Sequence, residues 1–100
     1  MATELKPRKL NYLDDAIIFM KSLLRERNRD SAKAIKSVLR EVCRQGTEYP
    51  DMTPFGTTDN MFRLHVPAVK TDNAHFQGFR IILIVMENHI LAMSIGPEFA

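Results

Sequence analysis

The chain has 100 residues, 45% of them hydrophobic and 26% charged, with a formal net charge of +2 and one cysteine. That is the size of one domain and the composition of a folded one, which excludes a disordered tail or a disulfide-stapled scaffold. The lone thiol suits a reducing compartment, the opening residues lack an apolar leader core, and the longest apolar run, 81–86, falls far short of the ~20 residues a bilayer requires; a cytoplasmic protein is expected.

Residues 1–10 read as a flexible segment or short edge strand, with Lys6, Arg8 and Lys9 around Pro7. From Tyr12 to about Arg27 the apolar spacing is helical. Leu13, Ile17, Met20 and Leu24 form one stripe that Ala16, Phe19 and Leu23 widen. Asn11 is the expected N-cap, and Asp14 and Asp15 place acid where the helix dipole favours it. Asp30 or Ser31 can cap a second helix running to about Gln45. Its buried stripe is Ile35, Val38, Leu39, Val42 and Cys43, and Gly46 stands ready as its C-terminal stop. The short connection predicts a helical hairpin over 11–46.

After Gly46 the pattern changes. Pro50, Pro54 and Gly56 rule out a long helix, and Thr47–Asn60 reads as turns. Met61–Val66 alternates, with Phe62, Leu64 and Val66 on one face and Met61, Arg63 and His65 on the other. Pro67 ends this strand, and 68–77 read as a polar loop. Phe79–Met86 is apolar on both faces after Arg80, the mark of a central strand. Glu87-Asn88 reads as a hairpin turn, and His89–Ile95 returns to Gly96-Pro97. The fold class expected for 1–100 is therefore α+β, a single domain in which an N-terminal helical hairpin packs on a C-terminal antiparallel β-sheet over 47–100.

Four groups of side chains are candidates for function. Lys33, Lys36, Arg40 and Arg44 share one side of the second helix, where they can follow a nucleic-acid backbone or simply form a solvated face. Arg63 and His65 lie two apart on a strand, hence on one face, with Arg80 opening the next strand. Together they have the minimum chemistry for cleaving RNA through its 2′-hydroxyl, although an exposed strand face has the same pattern. Ile82, Ile84 and Met86 make a second apolar sheet face that two helices cannot also cover. The Thr47–Asn60 segment, a second subunit or a partner protein must shield it. The scattered His65, His75 and His89 make no metal site, Cys43 reads as a buried structural thiol, and no cofactor-binding motif is present.

The order of elements resembles the RelE/ParE superfamily of bacterial toxins. That family has a short first strand, a helical hairpin and then a curled antiparallel sheet. Lys9-Leu10-Asn11-Tyr12 corresponds to the first strand, Phe62–Val66 to the strand that bears an arginine, and Gly78–Val85 is similar to the family's YRIIY strand. The resemblance implies a toxin held by an antitoxin and acting on a gyrase-type or a ribosome/mRNA-type target. Arg63 and Arg80 would then match positions used by RNA-cleaving members. The chain ends Ile95-Gly96-Pro97-Glu98-Phe99-Ala100, without the basic or tyrosine-bearing close common in the family, and this departure favours action by binding. The alternative is a non-catalytic, dimeric protein-interaction module, such as a phage or regulatory adaptor, using the apolar sheet face. A mildly basic RNA binder is a third reading.

Overall fold

A computed structural model describes residues 8–26, 29–57, 59–67 and 78–97. Its elements in chain order are β1 (Lys9–Tyr12), α1 (Asp14–Arg25), α2 (Arg29–Gln45), a 3-10 turn (Gly46–Glu48), β2 (Met52–Pro54), β3 (Met61–Val66), β4 (Phe79–Val85) and β5 (His89–Pro97). The architecture is α+β, with two helices and one five-stranded sheet in the order β1-β5-β4-β3-β2. The expected polar loop at 68–77, with His75, lies outside the described residues.

The sheet is mixed rather than wholly antiparallel. Strands β2 to β5 form an antiparallel meander, but β1 lies parallel to β5, with Lys9 opposite His89 and Tyr12 opposite Ala92. This pairing also corrects the start of the first helix. Residues 9–12 are committed to the sheet, and the Leu13 N–H donates to the Ala92 carbonyl at 2.9 Å. Leu13, in extended conformation, is therefore the N-cap instead of Asn11, and the helix begins at Asp14. Asp14 and Asp15 still fall in its first turn.

α2 ends as its sequence implies. Gly46 takes φ +62°, a left-handed conformation that glycine adopts without steric penalty. The Thr47–Asn60 segment departs from a simple run of turns. It forms the 3-10 turn and then β2, which extends the sheet at the β3 edge, Met52 opposite Leu64 and Pro54 opposite Phe62. Proline is tolerated here because β2 is an edge strand. The segment therefore does not lie across the second sheet face; Tyr49 and Met52 pack against the main core instead.

The buried core draws on both helices and on the strands. Ala16, Met20 and Leu23 come from α1, and Ile35, Leu39, Val42 and Cys43 from α2. Leu64, Val66, Phe79, Ile81, Leu83, Ile90, Ala92 and Ile95 come from the strands. Phe19 of α1 meets Phe79 edge-on, with ring centroids 5.8 Å apart. A β-bulge interrupts the β4–β5 register. Ile82 faces Ser94 and Leu83 faces Ala92, so Met93 is the extra residue. The bulge lets Ala92 and Ile95 both reach the core despite their odd spacing. Met86 N–H donates to the His89 carbonyl at 2.8 Å, closing a two-residue connection at Glu87-Asn88.

Candidate functional site

Residues opposite each other in antiparallel strands point to the same face. The register therefore builds the second sheet face row by row. One row is Met61–Ile84–Leu91. The next is Thr53–Arg63–Ile82–Ser94, and the last is His65–Arg80–Gly96. The face is divided. Its end near the β4–β5 turn is apolar, and its other end carries two guanidinium groups, an imidazole and two hydroxyls.

The structure thus brings Arg63, His65 and Arg80 together. His65 stands directly across from Arg80, and Arg63 lies two residues along β3 on the same side. Arg63 and His65 are exposed and Arg80 is half-buried. Arg80 lies close over Gly96: a Cβ there would stand 4.0 Å from Arg80 Nε, at ordinary contact distance. Two cations beside a proton donor or acceptor can hold a phosphodiester and move a proton at it.

The apolar residues are not equivalent. Ile82 is 9% exposed although it lies outside the main core, being flanked by Arg63 and Ser94. Ile84 is half-buried, and Met86 is 41% exposed.

Lys36, Arg40 and Arg44 line a groove of about 460 Å³ between α2 and β1, with Arg8, Leu10, Tyr12 and Cys43 as its remaining walls. Lys33 is exposed on α2 but does not contribute to that lining. Arg44 pairs with Glu41 at 3.4 Å, and Gln45 donates to the same carboxylate at 3.2 Å. Tyr12 and Lys36 are shared with a smaller groove of about 200 Å³ whose other walls are Ile17, Met20, Lys21 and Leu24. Burial pushes the pKa values of the Tyr12 hydroxyl and the Cys43 thiol up; at Cys43 the nearby Arg8 opposes this in part.

Sequence reasoning left Arg8 in a flexible segment or short edge strand and did not join Leu10 and Tyr12 to the basic helix face. The signal was present in the alternation of Lys9 and Asn11 with Leu10 and Tyr12, which is a strand pattern too short to stand out alone. Among the described residues no group of three or more His, Cys, Asp or Glu side chains could hold a metal ion, and no helix is long and apolar enough to cross a membrane. No protein-family model, curated protein or solved structure matches the chain.

Proposed function

We propose that the chain is a RelE/ParE-like toxin component of a toxin–antitoxin pair, acting through the helix-free face of its sheet and held inactive by an antitoxin. The observation that carries this reading is the convergence of Arg63, His65 and Arg80, with His65 directly opposite Arg80. The order of elements supports it: a short strand, two helices that both contribute buried residues to the core, then the remaining strands. Two guanidinium groups favour a phosphate-bearing target, so the ribosome/mRNA type fits this face better than the gyrase type.

On an RNA strand the step is transesterification. The 2′-oxygen attacks the adjacent phosphorus, the bond from phosphorus to the 5′-oxygen breaks, and a 2′,3′-cyclic phosphate forms. His65 takes the 2′-hydroxyl proton and water supplies one to the departing 5′-oxygen, while Arg63 and Arg80 stabilise the charge that builds on phosphorus-bound oxygen. The test is induced expression in a bacterial host, with growth and messenger cleavage both followed. Growth arrest with cleavage, lost in Arg63→Ala, His65→Gln and Arg80→Ala variants that remain folded, is the expected result. Normal growth with intact messengers and abundant folded protein would sink the proposal.

A second reading rests on the apolar end of the same face. Ile84 is half-buried between Met61 and Leu91, and Met86, just past the end of β4, is exposed. A non-catalytic dimer formed through this patch is tested by sedimentation: Ile84→Glu should convert a dimer to a monomer, and a monomeric wild type would exclude it.

A further inference from the structure

β1 ends the strand order, so one of its two edges has no strand partner among the described residues. The hydrogen bonds identify that edge. Lys9 N–H donates to Asn88 and Leu13 N–H to Ala92, so the odd-numbered positions turn their backbone groups toward β5. Leu10 and Tyr12 then turn theirs outward. At Arg8 the outer edge is closed, because its N–H donates to the Cys43 carbonyl in the last turn of α2 at 3.0 Å. Beyond Arg8 the edge borders the groove of about 460 Å³ that Lys36, Arg40 and Arg44 line from the helix side.

We propose that this groove binds an extended acidic peptide segment of a partner protein, which adds a strand to β1 and sets its carboxylates against α2. Three observations agree on that occupant. Leu10 and Tyr12 offer the alternating donors and acceptors that a strand pairs with. Lys36, Arg40 and Arg44 follow one another at four-residue intervals, about 6 Å along a helix. An extended chain repeats its side chains on one face every ~6.6 Å, so carboxylates at alternate positions keep step with these cations. Finally, the groove continues at Tyr12 and Lys36 into the apolar one formed by Ile17, Met20 and Leu24. A bulky apolar residue at one end of the acidic segment fits there. A nucleic-acid strand would use the cations but not the strand edge. This inference does not depend on the toxin reading, and the groove lies apart from Arg63, His65 and Arg80.

The probe is a phage-displayed library of random peptides about ten residues long, panned against the full chain. Enriched peptides should carry Asp or Glu at alternate positions with an apolar residue to one side. Their affinity should fall at least about tenfold with Lys36→Gln plus Arg40→Gln, and as much when the peptide backbone is N-methylated where it faces Leu10 and Tyr12. The Leu10 and Tyr12 amides should gain protection from hydrogen exchange when the peptide binds. A library that yields no binder, enriched peptides without acidic alternation, or undiminished binding after N-methylation would each overturn the proposal. So would oligothymidylate displacing the peptide at lower concentration than the peptide's own Kd. The glutamine substitutions lie on exposed helix positions, and circular dichroism of the variant separates lost binding from lost folding.

Discussion

The guanidinium of Arg8 lies where a side chain at position 46 would begin: a Cβ on Gly46 would stand 2.6 Å from Arg8 Nη1. Gly46 also holds φ +62°, so two independent constraints meet at one residue. Arg8 is fixed from two further sides. Its backbone N–H reaches the Cys43 carbonyl, and its Nε donates to the Met86 carbonyl at 3.0 Å. One residue, through its backbone and its side chain, thus ties the end of α2 to the β4–β5 turn.

Gly46→Ala is expected to destabilise the protein by about 1–2 kcal/mol through the left-handed backbone alone, with a further increment from displacing Arg8. Arg8→Ala should cost about 1 kcal/mol for the lost hydrogen bond. The double variant should be less unstable than the sum, because without Arg8 only the backbone term of Gly46→Ala remains. Urea denaturation of the four proteins measures the coupling, and strict additivity would contradict the contact.

The two faces of β4 should respond differently to truncation. Ile81 and Leu83 are fully buried in the main core, and replacing either with alanine should lower stability by about 2–5 kcal/mol. Ile84, half-buried on the opposite face, should lose about 1 kcal/mol. Equal losses in equilibrium unfolding would mean that the second face is as well covered as the first.

Gly96 should tolerate alanine but not valine. A Cβ at 4.0 Å from Arg80 Nε is an ordinary contact, whereas a branched side chain pushes the guanidinium aside. If the helix-free face acts on RNA, Gly96→Val should reduce cleavage about as far as Arg80→Ala, on the order of a hundredfold, while Gly96→Ala stays near wild type. Cleavage rates on a defined messenger distinguish these outcomes.

Stability should fall in alkali. Burial pushes Cys43 above its ordinary 9.0, and Tyr12 and Tyr49 above their ordinary 10.0; Asp51 and Glu41 add to the effect at Tyr49. The folded chain then holds these protons more tightly than the unfolded one. The contribution is complete below the unfolded values and is lost as pH rises through them toward the raised folded values. Urea midpoints should be level to about pH 8 and decline above it. Cys43→Ala should delay the onset of that decline, and an unchanged onset would count against the buried thiol as its source.

Much of the chain was legible because its signals are local. The α2 stripe at Ile35, Leu39 and Val42, the stop at Gly46 and the alternation of Met61–Val66 each specify an element within a few residues, and each occurs where its pattern lies. The pairing of His65 with Arg80 was also within reach, since both strands are adjacent in the meander. What escaped was non-local. The sequence of Lys9–Tyr12 does not say that its partner is His89–Ala92, nor that the pairing is parallel. The helix start shifted from Tyr12 to Asp14 for that reason alone. β2 was hidden by Thr53 and Pro54, which suit turns; only an edge position admits Pro54 to the sheet.

The same parallel pairing has a consequence for how the molecule assembles. Arg8 and Met86 are 78 positions apart, and β1 can be seated only on a β5 that already exists. Closing so long a loop is slow compared with forming α2 or the β4–β5 turn. During synthesis, therefore, the helices and β2 to β4 can gather first, while β1 waits for β5 to leave the ribosome. The groove between β1 and α2 is then among the last features to form, and a nascent chain stalled short of β5 would have the basic helix without the strand edge beside it.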